Sequence, residues 1–166
     1  SKAKLTTDFD IVCPFVNDKI TRETIKILSD LNISLIALRC AGFNNVDLEA
    51  ADDYGIKIMR VPAYSPHAVA EHAVALILSL NRKIHKAYSR VRENNFSLER
   101  MLGFDLNDKT VGVIGTGKIG EVFARIMTGF GSNILAYDLH ENEAAVKMGV
   151  KYVDLPELFE KSDIIS

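Results

Sequence analysis

Three glycines spaced as G-x-G-x-x-G offer the clearest candidate chemistry in the sequence. Gly115, Gly117 and Gly120 follow an apolar run, and residues of helical character come next. Gly115 permits a tight turn, Gly117 lets a phosphate approach the backbone, and Gly120 allows a helix to pack closely on a strand. The exposed amides and the positive dipole end of that helix would hold a diphosphate. The turn, which also contains Thr116 and Lys118, therefore predicts a dinucleotide site.

An acid stands where such a site needs one. Asp138 ends the next apolar run, close to the roughly twenty residues that the motif places between its glycines and its acid. Its carboxylate can accept hydrogen bonds from the adenosine ribose and would repel a 2′-phosphate. We therefore expect NAD rather than NADP, by about 2–3 kcal/mol. No arginine follows Asp138 to receive a phosphate; His140 could do so weakly, but an exposed turn residue is the simpler interpretation.

Further candidates follow apolar runs in the first part of the chain, because the carboxyl ends of parallel strands gather ligands. The amides of Ala41 and Gly42 could form a small concavity for a carboxylate. Tyr64 could lend a hydroxyl to a substrate, and Phe15 could wall off the site. Purely structural interpretations stay open, with Gly42 as a turn glycine and Tyr64 as a partly buried aromatic residue.

Alternating strands and helices must position these residues. Apolar runs suited to buried strands alternate with helical spacings, which predicts an α/β fold of parallel sheets with right-handed crossovers. We expect strands over residues 9–16, 34–39, 56–61, 110–114, 133–137, 151–153 and 163–166. We expect helices over residues 21–31, 45–54, 68–91, 118–130, 141–148 and 156–161.

A long helix separates two such alternations. The helix over 68–91 is apolar almost all round in its first half, so we expect it to be buried between domains or subunits. A polar, irregular linker over 94–108 follows it. We therefore divide the chain into a partial substrate domain, an interdomain helix with its linker, and the first half of a nucleotide-binding domain: residues 1–64, 65–108 and 109–166.

The composition limits the partners that can be expected. The 166 residues carry a net charge of −2, which gives no reason to expect nucleic acid or an anionic membrane surface. No apolar stretch approaches the length of about 20 residues that spans a bilayer. We see no secretory signal at the start of the sequence, and removal of one stays open because the sequence opens on Ser1 and not on Met. No cysteine and histidine cluster has metal-ligand spacing, so we expect no metal. Cys13 and Cys40 end apolar runs, as buried, reduced thiols of a cytoplasmic protein would.

Three segments together resemble a known family. LRCAGFNNVDLEAA, VPAYSPHAVAEHAVALILSLNR and VGVIGTGKIG, in this order and at this spacing, are similar to the D-isomer-specific 2-hydroxyacid dehydrogenases. Residues 39–45, Tyr64 and the linker 95–98 most resemble the bacterial fermentative D-lactate dehydrogenases. The resemblance implies a flavodoxin-like substrate domain and a Rossmann NAD-binding domain. Both would be doubly wound parallel-sheet domains, and both would be incomplete in a chain truncated at both ends.

The resemblance also implies roles for particular residues. Ala41 and Gly42 match the loop that binds the substrate carboxylate, and Tyr64 matches a substrate-contacting tyrosine. The residues that match cofactor contacts are Lys118, Ile119 and Asp138. Members of the family usually form homodimers through the region of the long apolar helix, so we expect a homodimer or a higher homo-oligomer.

The activity that the resemblance implies is NAD-dependent interconversion of pyruvate and D-lactate. The family's catalytic arginine, glutamate and histidine have no match in this chain. None of the four histidines lies in the matching motif, and we expect structural roles for all of them: His67, His72, His85 and His140. We therefore expect the 166-residue chain by itself to be inactive, because loss of the general acid/base alone typically costs about 10²–10⁴-fold in rate.

Two alternatives to this activity stay open. One is a dehydrogenase of the same family that acts on another 2-hydroxyacid, such as phosphoglycerate or glycerate. Phe15 and Phe43 favour a small uncharged substrate side chain, because a phosphate would need cations near it. The other alternative is a nucleotide-sensing module like the transcriptional corepressors that share this fold.

Overall fold

The computed structural model describes residue 3 and residues 7–166. The chain divides into two compact units, Ser1–Tyr64 and Ser65–Ser166. Each unit contains its own parallel sheet and its own cluster of buried apolar side chains. The segment 65–108, expected to lie between domains, packs within the second unit, since its Ala70, Val74 and Leu106 belong to that unit's core.

In the first unit three short strands form a parallel sheet. Its strands, in spatial order, are β1 (Ile11–Val12), β2 (Leu35–Ala37) and β3 (Lys57–Met59). The helices between them are α1 (Arg22–Asp30) and α2 (Leu48–Asp53). Thr21 and Asp47 cap these helices, because each side chain accepts a hydrogen bond from a backbone amide in the first turn. Ile25, Leu28 and Ile36 are fully buried between α1 and β2.

The second unit has four parallel strands and five helices within the described residues. The strands are β4 (Thr110–Ile114), β5 (Asn133–Tyr137), β6 (Lys151–Tyr152) and β7 (Ile164–Ile165). The helices are α3 (Pro66–Arg82), α4 (Ile84–Arg92), α5 (Lys118–Gly129), α6 (Glu143–Lys147) and α7 (Leu155–Lys161). None of the helices in the described part of the chain is long and apolar enough to cross a membrane.

The order of the strands in the second sheet is β6-β5-β4-β7. The chain therefore moves outward from β4 to β6 and then returns to the other side of β4, which makes the edge between β4 and β7 a topological switch point. Ligands of open parallel sheets bind at such points, beyond the carboxyl ends of the strands. The expected α/β class with parallel sheets and a Rossmann-type second domain is confirmed.

Helix α5 is held to the sheet and to α3 by one continuous core. Phe123, Ala124 and Met127 on α5 are buried together with Val111 and Val113 on β4. Ala70 and Val74 of α3 close the same cluster from the other side. Small residues on α3 therefore allow a close approach to α5, which places α3 beside the start of that helix.

The prediction of one uninterrupted helix over 68–91 is wrong. Helix α3 ends at Arg82, and Lys83 adopts a left-handed conformation with φ of 53° before α4 begins. Within the single chain only Ala70 and Val74 of α3 are buried, so the expected burial of this helix between domains or subunits stays a prediction. Leu76 and Leu80 are more than half exposed in this chain.

The linker explains the break in the helix. Asn81 donates a hydrogen bond of 2.7 Å to the carbonyl of Phe104 and accepts one of 2.9 Å from the amide of the same residue. Lys83 donates to the carbonyl of Leu102 at 2.5 Å. Contacts between residues about twenty positions apart in the chain thus stabilise a left-handed residue that helical periodicity gives no sign of.

The strands of the first unit are shorter than their apolar runs. The strand expected over 9–16 covers only Ile11–Val12, because Pro14 lacks an amide and the chain turns where Phe15 donates to Asp18 at 2.8 Å. This turn also leaves Cys13 exposed, so the expectation that its thiol is buried is wrong. Cys40 is buried as expected, and both cysteines are unpaired.

We predict that the α5 core sets the stability of the second unit. Met127→Ala removes a fully buried side chain and should lower the free energy of unfolding by about 2–5 kcal/mol, because the cavity cannot collapse completely. The control Arg125→Ala changes an exposed residue of the same helix and should stay within about 0.5 kcal/mol. Urea unfolding followed by circular dichroism measures both. Equal effects would contradict the assignment of α5 as a core helix.

Candidate functional site

The turn between β4 and α5 has the backbone that the three glycines predict. Gly115 has φ of 93°, a left-handed value that favours glycine. A Cβ on Gly120 would overlap the carbonyl oxygen of Gly115, so this helix position tolerates no side chain. A Cβ on Gly117 would meet no atom within 4 Å, so the space in front of that residue is open to a ligand. Gly115 therefore forms the turn, Gly117 leaves space for a ligand, and Gly120 allows the helix to pack closely against the turn.

The amides at the start of α5 are free to bind an anion. Gly117 is the N-cap residue and provides no side-chain cap. Among the described residues, no hydrogen bond uses the amides of Gly117, Lys118 or Ile119. The first amides of a helix lack intrahelical partners, and the helix dipole adds a partial positive charge. Three unpaired donors at an open turn are therefore suited to phosphate oxygens.

Thr116 has the opposite character, because its polar groups are all bonded. The residue is only 2% exposed. Its amide donates to Oδ2 of Asp138 at 2.6 Å, and its carbonyl accepts from Nδ2 of Asn142 at 2.9 Å. Its hydroxyl donates to the same Asp138 oxygen at 3.2 Å and accepts from the hydroxyl of Tyr152 at 2.7 Å. Thr116 thus turns inward and fixes the turn, while the amides after it face outward.

The carboxylate of Asp138 lies beside this turn, at the end of β5. Parallel pairing places Ile114 opposite Tyr137, so Asp138 follows directly where Gly115 begins the turn. The hydrogen bond from the Thr116 amide is the main cause that lowers the pKa of Asp138, and the amide of His140 lowers it further. Its Oδ1 atom accepts a long hydrogen bond, of 3.4 Å, from the amide of His140. An ionised carboxylate with one oxygen largely free is suited to ribose hydroxyls.

A small cavity adjoins the turn within the second unit. It has a volume of about 270 Å³, and α3 forms one wall with Val69, Ala70 and Ala73. Gly115 and Ile119 line the opposite side. The walls are mainly apolar, so the cavity suits the flat face of an aromatic ring rather than a charged group.

The candidate carboxylate loop of the first unit is also built from backbone groups. Its carbonyls are all engaged: Tyr64 donates to Arg39, Val61 to Cys40, Arg60 to Ala41, and the thiol of Cys40 to Gly42. The amides of Ala41 and Gly42 have no hydrogen-bond partner among the described residues. Bound carbonyls and free amides leave the loop with a net positive face, as a carboxylate site requires.

Two arginines flank this loop, and each lies beside one of the two phenylalanines. The guanidinium of Arg39 lies 5.0 Å from the ring centre of Phe15, and that of Arg60 lies 5.2 Å from the ring centre of Phe43. Cations are therefore present beside both rings, although Arg60 is also bonded to the loop at 2.9 Å. The two rings therefore do not favour an uncharged substrate side chain, because a charged group would find a cation beside each of them.

The structure places the candidate residues in two groups. Phe15, Tyr64, Ala41 and Gly42 lie at the carboxyl end of the first sheet, within the first unit. The remaining candidates lie around the β4–α5 turn of the second unit: Gly115, Thr116, Gly117, Lys118, Ile119, Gly120 and Asp138.

The sequence analysis missed Asn142 and Tyr152. Both contact Thr116. Their sequence signal is weak, since Asn142 precedes a short helix and Tyr152 stands in a short strand.

Comparison with known proteins confirms the family resemblance. Residues 74–166 match the family described as D-isomer specific 2-hydroxyacid dehydrogenase, NAD binding domain. A 2-hydroxyacid dehydrogenase homolog of Haemophilus influenzae is 54% identical over 166 residues, 100% of this chain and 50% of that protein. The D-lactate dehydrogenase of Escherichia coli is 54% identical over 164 residues, 99% of this chain and 50% of that protein. The chain spans about half the length of the curated relatives it matches.

Solved structures give the same result. The apo-structure of D-lactate dehydrogenase from Escherichia coli matches with a TM-score of 0.88 and 54% identity, covering 99% of this chain and 52% of that one. D-lactate dehydrogenase from Aquifex aeolicus, solved in complex with NAD and lactic acid, matches with a TM-score of 0.89 and 36% identity. That comparison covers 98% of this chain and 49% of the other.

We predict that Gly120 cannot carry a side chain. Gly120→Ala forces the carbonyl of Gly115 to move and should destabilise the second unit by about 1–3 kcal/mol. The matched control is Gly129→Ala at the end of the same helix, where a Cβ meets nothing within 4 Å and should be neutral or stabilising by up to about 1 kcal/mol. Thermal and urea unfolding measure both variants. Equal stability of the two would contradict the close packing at Gly120.

We also predict an acid-sensitive contribution from Asp138. Its pKa is lowered in the folded chain, so the ionised carboxylate contributes stability above the ordinary aspartate pKa of about 3.9, and that contribution is lost as the pH falls through the lowered value. Asp138→Asn should therefore be less stable than wild type at pH 7, and the difference should shrink on acidification. Unfolding at several pH values measures this.

The control for the acid effect is Glu141→Gln. It removes the same charge nearby, from an exposed carboxylate that makes no hydrogen bond among the described residues. Its stability difference from wild type should change little with pH. A pH dependence as large as that of Asp138→Asn would assign the effect to general charge rather than to the bonds from Thr116.

Proposed function

This chain belongs to the D-isomer specific 2-hydroxyacid dehydrogenases, and we propose that the complete gene product is an NAD-dependent D-lactate dehydrogenase. The reaction is reduction of pyruvate by NADH to D-lactate and NAD, and its reverse. The relative from Escherichia coli at 54% identity supports this substrate. So does the relative from Aquifex aeolicus, described as complexed with NAD and lactic acid.

The observation that carries the proposal is the β4–α5 turn. Free amides of Gly117, Lys118 and Ile119 would hold the diphosphate, with the carboxylate of Asp138 beside them for the ribose. Thr116 fixes this turn from inside. Gly115 and Gly120 give the turn its shape. The residues present therefore fit the nicotinamide cofactor, which would supply the hydride when bound in its reduced form, NADH.

The charge of Asp138 supports NAD over NADP. A 2′-phosphate would stand next to a carboxylate whose pKa is held below its usual value by the Thr116 amide, so the carboxylate stays ionised at neutral pH. In the chain after Asp138 no arginine is available to neutralise such a phosphate. His140 is exposed and uses its amide, not its ring, to contact Asp138.

On the substrate side, we propose that the amides of Ala41 and Gly42 bind the carboxylate of the 2-oxoacid. Tyr64 and Phe15 would contact the remainder of the substrate. The hydroxyl proton of Tyr64 is committed to the carbonyl of Arg39, so its oxygen and its ring are the parts left for a ligand. Phe15 is 45% exposed and can present an apolar surface.

No acid/base residue is proposed within this chain. The family resemblance assigns proton transfer to a histidine assisted by a glutamate, and substrate clamping to an arginine, and none of these has a match here. The four histidines lie at exposed positions, on or next to helices and in one turn: His67, His72, His85 and His140. The 166 residues by themselves should therefore bind NADH without reducing pyruvate at a measurable rate.

We further propose that the complete gene product is a cytoplasmic homodimer or higher homo-oligomer. Helices α3 and α4 carry several large apolar side chains that are at least half exposed in the single chain: Val69, Leu76, Leu80, Ile84, Tyr88 and Val91. A group of exposed large apolar side chains on two consecutive helices is typical of a subunit interface. The two unpaired cysteines support a reducing compartment.

A second candidate is a dehydrogenase for another 2-hydroxyacid. Arg39 and Arg60, which lie beside Phe15 and Phe43, favour it because a charged substrate could use either cation. Among the structural relatives, D-2-hydroxyisocaproate dehydrogenase is 31% identical and acts on a bulkier acid by its name. A nucleotide-sensing role stays the alternative of a different class, to be decided by turnover.

The test is oxidation of NADH by the complete gene product with pyruvate, hydroxypyruvate and 2-oxoisocaproate, followed at 340 nm, with chiral analysis of the product. We expect the highest kcat/KM with pyruvate and formation of the D-isomer. A preference for another 2-oxoacid would favour the second candidate. NADH binding without turnover on any 2-oxoacid would favour the sensor, and absence of NADH binding would overturn the proposal.

A further inference from the structure

Tyr152 on β6 contacts the cofactor turn from two strands away. Its hydroxyl donates to Oγ1 of Thr116 at 2.7 Å and accepts from the amide of Asn142 at 2.9 Å. The strand β6 pairs with β5, and β5 pairs with β4, so the hydroxyl reaches across the end of β5 to the turn that follows β4. The ring is partly buried. A phenylalanine would fill the same space but could not make either bond.

These hydrogen bonds form a series, and the groups at its two ends fix the direction of every bond in it. The amide of Asn142 can only donate, and the ionised carboxylate of Asp138 can only accept. The tyrosine hydroxyl therefore accepts from the amide and donates to Thr116. The threonine hydroxyl must then donate to Oδ2 of Asp138, which lies 3.2 Å away. Such a one-directional chain polarises each bond in the same sense.

This series of hydrogen bonds determines which oxygen of Asp138 is available to a ligand. Oδ2 accepts both from the amide of Thr116, at 2.6 Å, and from its hydroxyl. Oδ1 accepts a longer hydrogen bond, of 3.4 Å, from the amide of His140. With Oδ2 held by two donors, the carboxylate cannot rotate freely, and Oδ1 remains for a ligand.

Asn142 holds the same turn from a second direction. Its Nδ2 atom donates to the carbonyl of Thr116 and to Oε2 of Glu121, both at 2.9 Å. Its Oδ1 atom caps α6 through the amides of Ala144 and Ala145. The side chain of Asn142 therefore connects helix α6, the β4–α5 turn and the start of α5. These contacts keep the amide of Asn142 in place to donate to the Tyr152 hydroxyl.

From these contacts we propose that Tyr152 is a positioning residue for the cofactor: through the Thr116 hydroxyl it fixes the Asp138 carboxylate so that Oδ1 faces the ribose hydroxyls. It thereby sets the affinity for NADH and the preference for NADH over NADPH. This inference rests on the proposed function, since it presumes that the turn binds NAD. It adds a third strand to a site otherwise made by β4 and β5.

The first experiment compares Tyr152→Phe with wild type in the complete gene product, with Kd for NADH and NADPH from fluorescence titration. We expect NADH to bind about five- to tenfold more weakly, as expected for loss of one hydrogen bond in a chain that ends on a charge. NADPH binding should change less than twofold, so the preference falls by a similar factor. The kcat at saturating NADH should be unchanged, because Tyr152 touches no reacting atom. Tyr54→Phe, in the first unit, is the matched control and should behave as wild type.

A second pair of variants tests the role of the Thr116 hydroxyl. Thr116→Val keeps the shape of the side chain and removes the hydroxyl, so it should weaken NADH binding at least as much as Tyr152→Phe. Thr116→Ser keeps the hydroxyl and should restore most of the affinity. In the double variant Tyr152→Phe with Thr116→Val the losses should not add, because both single changes break the same chain.

The outcomes separate this inference from the proposed function. If wild type fails to bind NADH, both are overturned. If wild type binds NADH and Tyr152→Phe binds it equally well, only the role of Tyr152 is overturned. Equal weakening of NADH and NADPH would show a merely structural role and would also overturn it. Should Tyr152→Phe fail to fold, the threonine pair decides, and equal NADH affinity of Thr116→Val and Thr116→Ser would overturn the inference.

Discussion

The hydrogen bond between the Thr116 amide and the Asp138 carboxylate is the constraint on which the cofactor turn depends. It draws one peptide of the turn inward, so that the next amides, those of Gly117 and Lys118, face outward without partners. The same bond keeps the carboxylate ionised and pointed at the turn. One contact therefore orients both halves of the candidate site, the donors proposed for a diphosphate and the acceptor proposed for a ribose.

This contact exists because of the register between two parallel strands. Ile114 pairs with Tyr137, and Gly115 donates to the carbonyl of Tyr137 at 2.8 Å, so the first residues beyond both strands meet. A shift of one residue would turn every side chain of β5 to the other face of the sheet. The buried Ile134 and Ala136 of β5 prevent such a shift, because they would then leave the core. The packing of the sheet thus positions Asp138.

Part of this arrangement could be predicted from the sequence, because some constraints are local. The roles of the glycines can be predicted from the sequence, because glycine is the residue type that suits both the positive φ at Gly115 and the lack of space for a Cβ at Gly120. The left-handed conformation of Lys83 could not be predicted in this way, because it is stabilised by a contact with the linker about twenty residues away in the sequence. The contact of Tyr152 with the turn could not be predicted either, since its partner Thr116 lies far away in the sequence. Residues whose roles depend on contacts across the sheet cannot be found from spacing alone.

The two candidate anion sites share one physical solution, although they lie in different units. In the loop at Ala41 and Gly42 the carbonyls are bonded to the protein and the amides are free. At the β4–α5 turn the carbonyl of Thr116 is likewise bonded, and the amides of Gly117 and Lys118 are free. Backbone amides recognise a negative charge but carry no information about the group attached to it. Under the proposed function, selectivity among 2-oxoacids would come from side chains such as Phe15. Substitutions there would then change the substrate while the proposed carboxylate binding by the loop is kept, so that one backbone could serve acids of different size.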